Sequence, residues 1–433
     1  MAESRLPVDS PDAYLEGDPL NRNVFLLLMV AGVIVLSRRK LAWGHLLTHN
    51  SWIWLYFLFG GVSVLWSDYP DVSFRRLIKA LGNVIMALVV LTEKRPYQAV
   101  GVVLRRLAFL LVPLSILFIK YFPDLGRAYS RWTYEPMFTG VALQKNGLGQ
   151  ICLLAGIYFC WTLLHGWDER PKLGRGLSIT LDVVFLSMIA WLIHKANSAT
   201  SLACLILVAG MLLASRLPSV ARAPRRIMVL GMAVVCLFGV LEVTLDVSDS
   251  VVSLLGRDAT LTTRVPMWEG LRKMAANPLV GVGYESFWLG DRLDVLQDKY
   301  GGIHQAHNGY LELYLNLGVV GLGLIVGSIL SGLLKVRKHL SMDYPAAILR
   351  LCLIVTVAVY NYTEATFYGA SNMWLLLLLG IVDISGQERG RRHSLPTLRS
   401  LGEKKWERIL RLRSTGNRAG VPADVVVQPK WDR

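Results

Sequence analysis

Hydrophobic positions in this chain are gathered into blocks rather than amphipathic stripes. The runs lie at 23–37, 51–66, 77–92, 105–122, 147–164, 178–194, 199–215, 227–245, 308–334, 345–361 and 371–384. Crossing a hydrocarbon core of roughly 30 Å takes about 20 helical residues. The pattern therefore predicts an all-α, polytopic integral membrane protein with roughly 11 transmembrane helices (about 10–12, because several runs are short). The segments between runs alternate in charge. "SRRK", "EKRPYQAVGVVLRR", "DERPKLGR", "RLPSVARAPRR" and "KVRKH" are basic and fall on one side, which the positive-inside bias assigns to the cytoplasm. One large hydrophilic insertion, 246–307, falls on the other side. The expected organisation is a polar acidic tail (1–22), an N-terminal helix bundle (23–245), an external loop with short helices (246–307), C-terminal helices (308–384) and a basic cytoplasmic tail (385–433). In that tail, "EKKWERILRLR" reads as a surface amphipathic helix.

Composition sharpens this picture in three places. Of the residues 53% are hydrophobic, and the mean hydropathy is +0.44. A net charge of +15 would suggest nucleic acid in a soluble chain, but here topology accounts for it and no nucleic-acid partner is implied. The first twenty residues are acidic and lack the basic start and apolar core of a secretory signal. Cys152, Cys160, Cys204, Cys236 and Cys352 all lie inside apolar blocks, as buried, unreactive thiols do.

Candidate chemistry concentrates in the external insertion. In "GRDATLTTRVPMWEGLRKMAANPLVGVGYESFW", Thr262 or Thr263 can cap a helix with Pro266 in its first turn. That helix is expected to run to about Ala276, with Met267, Leu271 and Met274 on one face. Arg264 stands at its positive end, where a guanidinium beside free backbone N–H groups suits a phosphate. Pairing with Glu269 or a lipid headgroup is the alternative. Farther on, "HQAHNGYLELYLNLGVVG" opens a long apolar helix. Its His307 is an imidazole able to take a proton near neutral pH, or else an interfacial residue with no role. Asn308 and Glu312 are i, i+4 neighbours. His304 and His307 lack the spacing of a zinc helix, so neither a metal nor a cofactor is expected. Lys145, with Asn146, begins another helix, where a lysine opposes the macrodipole and can meet an anion or snorkel. A transporter would place ionisable groups deep in its spans. Here Asp182 and Glu242 lie towards span ends and Glu364 just outside one.

In order along the chain, "LWSDYP", "GVALQKNGLGQ", "SATSL", "TLTTRVPMW", "NPLVGVGYESFW" and "HNGYLELYLNLGVVG" resemble the O-antigen ligase and polysaccharide polymerase family of bacterial envelopes. The family's His–Asn pair, nine residues and Gly-x-x-Gly correspond to His307, Asn308, Gly318 and Gly321. The resemblance implies a glycosyltransferase in the bacterial inner membrane with its active site on the periplasmic side. Its substrate would be a polyprenyl-pyrophosphate-linked oligosaccharide, and a chain-length regulator and a flippase are its conceivable partners beside the bilayer. It implies His307 as general base and Arg264 as the grip on pyrophosphate, with Arg257, Lys145, Asn146, Asn308, Glu312 and Trp268 as substrate-binding candidates. Where family ligases often carry an arginine, this chain has Ala199 and Thr200, so a second cation would come from Lys195, Arg257 or Lys145. These departures, with Leu322 after Gly321, look more like an exopolysaccharide repeat-unit polymerase than like a ligase acting on lipid A-core. A lipid or polysaccharide transporter is the alternative of another class.

Overall fold

The computed structural model describes residues 19–39, 41–129, 135–166, 175–223, 225–233, 264–275, 277–300, 303–369 and 371–384. Its longer helices are α1 (Pro19–Ser37), α2 (Trp43–His49), α3 (Ser51–Ser63), α4 (Pro70–Leu91), α5 (Pro96–Tyr121), α6 (Lys145–His165), α7 (Arg175–Ala196), α8 (Ala199–Arg216), α9 (Arg264–Lys273), α10 (Asp291–Tyr300), α11 (Gly309–His339), α12 (Tyr344–Thr363) and α13 (Asn372–Ile381). A two-stranded hairpin pairs β1 (Arg127–Tyr129) with β2 (Pro136–Phe138). Among the described residues, seven helices are long and apolar enough to cross a membrane: most of α1 and α7, and α5, α6, α8, α11 and α12.

Two elements differ from the expected spans, and a third lies largely outside the described residues. The run expected at 371–384 yields only the ten residues of α13, about 15 Å of helix and half a crossing. The run at 77–92 belongs to α4, which begins at Pro70 and carries Arg75, Arg76 and Lys79 into its apolar stretch. Proline at its first position suits a helix start, where the missing N–H has no partner to lose. Of the run at 227–245, residues beyond 233 lie outside the described residues, as do the cap candidates Thr262 and Thr263, and Cys236. In the external insertion, α9 ends at Lys273, short of Ala276. The charged stretch after Trp288 forms α10, closed by buried Leu293 and Leu296. Met267 and Leu271 of α9 pack with these leucines against Phe287, Trp288, Ala306 and Leu315. The face of α9 thus rests on its own loop and on α11.

Helix α11 is broken at Gly318, whose φ of 63° and ψ of −165° belong to a region that glycine alone adopts freely. The break frees backbone groups, and segment 278–283 takes them up. Val282 and Gly283 donate to the carbonyls of Leu315 and Asn316, while Val319 and Val320 donate to those of Pro278 and Leu279. A side chain at Gly318 would collide with the Leu279 carbonyl, and one at Gly281 with that of Asn316. "NPLVGVG" and "LNLGVVG" are therefore the two halves of one backbone contact. Similarly, "LWSDYP" receives the next stretch. The Ser63 hydroxyl accepts from Tyr284 N at 3.0 Å, and Asp68 pairs with Arg292 at 2.8 Å. The Tyr69 ring fills the space beside Gly290.

At the opposite end, two cations close the half-length helix. Arg350 of α12, 1% exposed, donates to the carbonyls of Gly380, Ile381 and Val382 at 2.6, 3.4 and 3.1 Å. The Lys335 ammonium donates to Ile381 O at 3.2 Å and to Asn50 Oδ1 at 2.9 Å. Asn50 in turn bonds the backbone of Asp383 in both directions. Carbonyls at a helix C-terminus have no partner within the helix, and cations complement them. Arg350 is an intramembrane charge that hydropathy reading passed over, and its work is to finish α13.

Candidate active site at the mouth of α11

Residues 304–308 enter α11 through an arch that side chains hold from several directions. Asn308 is the cap, its Oδ1 accepting from Tyr310 N and Leu311 N at 3.0 Å each. Glu312, one turn in, spends its carboxylate on the arch itself. Oε1 accepts from Ala306 N at 2.6 Å, and the Trp288 indole N–H reaches Oε1 and Oε2 at 3.0 and 2.8 Å. From α9, the Trp268 indole donates to Ala306 O at 2.8 Å. Asn308, Glu312 and Trp268 thus serve the arch before any ligand, although Glu312 also borders the neighbouring cavity. The residue they position, His307, has a φ of 51°. A non-glycine residue there costs about 1–3 kcal/mol and persists only where its surroundings enforce it.

His307 faces Glu364, the residue that ends α12. Nδ1 of His307 lies 3.5 Å from Glu364 Oε2, and Glu364 Oε1 accepts from Asn146 Nδ2 of α6 at 2.8 Å. The Glu364 carbonyl also accepts from Gly309 N at 3.2 Å. Glu364 is 11% exposed and His307 30%, so the carboxylate is sheltered and the imidazole reachable. A carboxylate at Nδ1 fixes the ring orientation and leaves Nε2 as the proton acceptor. Sequence reading noticed Glu364 only as a polar group beside a span. Its partner lies 57 positions away, and no local motif links the two.

The other candidates are spread more widely. Arg264 is the first residue of α9, one turn before Trp268. Arg257 lies outside the described residues. Lys145 opens α6 beside Asn146. Lys195 instead covers the Phe138 and Trp191 rings, at 5.3 and 5.9 Å from their centroids. "SATSL" serves packing, with Ser198 and Ser201 seated against Gly149 of α6 where a side chain would not fit.

Next to the arch opens a cavity of about 390 Å³, bordered by α3, α4, segment 284–288, the arch, α11 and segment 365–369. Its polar walls include Arg76, Lys79, Gln144, Glu285, His304 and Gln305. Glu285 is a second non-glycine residue at positive φ, 47°, and its Oε1 accepts from Gly369 N at 3.0 Å. Tyr284, wholly buried beside Tyr56 and Glu285, has its phenol pushed well above the usual range by burial. It therefore stays a neutral donor. Sequence reading places Arg76, in "LWSDYPDVSFRR", in an interfacial turn and passes over Lys79.

The sequence model of the O-antigen ligase family matches residues 183–326, from within α7 through the Gly318 break of α11. The chain is also 28% identical over 306 residues to the exopolysaccharide production protein ExoQ of Rhizobium meliloti (strain 1021), covering 67% of this chain and 66% of that protein. The matched stretch thus falls just short of two thirds of the relative's length.

Proposed function

The comparisons support the O-antigen ligase and polysaccharide polymerase family as the kin of this chain, and on that premise we propose that it is a glycosyltransferase. It joins polyprenyl-pyrophosphate-linked oligosaccharide repeat units into exopolysaccharide, at the periplasmic face of the inner membrane. The observation that carries this reading is the chain Asn146–Glu364–His307, three side chains from three helices or their ends converging on one reachable imidazole.

In the proposed step the acceptor sugar hydroxyl gives its proton to His307 Nε2 while its oxygen attacks the anomeric carbon of the donor. The new C–O glycosidic bond forms as the bond from that carbon to the pyrophosphate oxygen breaks. Polyprenyl pyrophosphate departs with the electron pair, and attack from the opposite face inverts the anomeric centre. Glu364 stabilises the imidazolium that results. Arg264 holds the departing pyrophosphate, a task suited to a fixed guanidinium fork. A well-placed base contributes roughly 10²–10⁴-fold in rate.

The test is reconstitution of the full chain in vesicles with lipid-linked repeat units as sole substrate, resolved on a gel. A ladder of longer lipid-linked glycans is expected from the wild type and none from His307→Ala. Transfer that appears only after a lipid A-core acceptor is added would make the protein a ligase. A ladder undiminished in His307→Ala would remove the imidazole from the mechanism.

A further inference from the structure

We infer that Asn361 is a positioning residue for the His307–Glu364 pair. With Thr366 it closes the turn that presents the Glu364 carboxylate to the imidazole. This deepens the proposed function, on which its effect on turnover rests.

The first argument is the closure itself. Asn361 lies in the last turn of α12 and is fully buried. Its amide oxygen accepts from the backbone N–H and the hydroxyl of Thr366, at 2.9 and 3.1 Å. Its amide nitrogen donates back to Val357 O at 2.9 Å. One side chain thus ties the body of α12 to the residue two places beyond Glu364. Glu364 sits inside the closed turn, its own N–H donating to Tyr360 O at 3.1 Å. An asparagine that merely finished a helix would serve the carbonyls behind it. This one also reaches forward, past Glu364.

The second argument is what Asn361 touches on the other side. Gly309 opens α11, two residues after His307, and is buried. A side chain there would collide with the Asn361 amide, so α11 starts directly against it. Gly309 N donates to Glu364 O at 3.2 Å, and the Tyr310 hydroxyl donates to Ala358 O at 2.8 Å. The backbones that carry the imidazole and the carboxylate therefore meet at Asn361.

The third argument is the narrow margin of the contact they set. His307 Nδ1 and Glu364 Oε2 are 3.5 Å apart, at the outer reach of a hydrogen bond. A small shift of either backbone decides whether that bond is made. Glu364 Oε1 is already held by Asn146 at 2.8 Å, which limits how far the carboxylate can follow a turn that drifts. The carboxylate at Nδ1 keeps the proton there and leaves Nε2 to accept. Once it withdraws, the ordinary preference of a neutral imidazole for the Nε2–H tautomer returns, and the proposed base is masked.

The test is nitrogen NMR of the full chain in lipid nanodiscs, with ring-labelled histidine, at a pH where the ring is neutral. The His307 signals are those lost in His307→Ala. The ratio of Nδ1–H to Nε2–H tautomer is expected to fall at least about threefold in Asn361→Leu, and further in Glu364→Ala. Turnover of Asn361→Leu should fall at least about tenfold, with KM for the lipid-linked donor unchanged. Thr366→Val removes only the hydroxyl and should shift the ratio less, in the same direction, while Thr366→Ser keeps the wild-type value. Arg350→Met, which loosens the other end of the bundle, should leave the ratio alone. A wild-type ratio in folded Asn361→Leu would overturn the inference, and so would an equal shift in Arg350→Met. Should Asn361→Leu fail to fold, an unshifted Thr366→Val overturns it instead. The tautomer needs no turnover to be read. A shift found where no glycan transfer occurs leaves the role of Asn361 standing and sinks the catalytic reading alone.

Discussion

Arg350 and Lys335 lie at one end of the bundle, on two helices apolar enough to cross a membrane, whereas Arg76 and Lys79 lie on α4, which is not among those helices. Their partners divide them. Arg350 is buried, with Nε and Nη2 donating to three carbonyls at the end of α13 and Nη1 lying 3.3 Å from His339 Nδ1. Lys79 is exposed and borders open volume. A cation of this bundle thus either completes a backbone or lines a cavity. Only a census of partners tells them apart.

That contrast breaks most sharply at Arg350. Replacing it with Met removes the side-chain donor from the carbonyls of Gly380 and Val382, while Ile381 O keeps Lys335, and a loss of about 3 kcal/mol of stability is expected, since each orphaned buried group costs about 1–3 kcal/mol. Detergent-resistance melts read this, while turnover per folded molecule stays at the wild-type value. Next comes Glu364→Gln, which keeps shape and removes charge. It should lower turnover roughly 10–100-fold, the usual loss when a histidine's orienting partner is replaced, with its melt unchanged. Equal turnover would show that His307 needs no carboxylate. Gly318→Ala tests the broken helix. Strain of about 1–3 kcal/mol and the collision with Leu279 should lower both the melt and the turnover, uniting effects that the first two variants separate. Smallest is Trp268→Phe, which removes one hydrogen bond to the arch, worth about 1 kcal/mol. Turnover should fall several-fold as His307 loosens, and binding of a glycan probe should not change.

Much of this architecture was legible in the blocks of apolar residues, because a spanning helix writes its length directly into sequence. Where reading failed, length and charge were in conflict. Residues 371–384 are apolar throughout, yet α13 covers only Asn372–Ile381 and the chain turns extended at Val382. Arg76 reads as part of an interfacial turn, and Lys79 falls unremarked inside the run at 77–92, because a helix that begins at Pro70 has its first turns written in polar residues. At the arch, His307 and Asn308 stood out by position and by resemblance. Glu364 could not, because its role depends on α12 ending beside α11, a fact of tertiary packing. Trp268, Asn308 and Glu312 were visible as polar or aromatic groups near the arch, but their bonding to it was not.

The two oxygens of Glu364 have a consequence for how this protein is made. One is claimed by α6 and the other by the residue ahead of α11, while the carboxylate itself is delivered only when α12 has been threaded. A chain halted after His307 but before the end of α12 carries its imidazole without an orienting group. The His307–Glu364 pair therefore forms late, with the penultimate described helix.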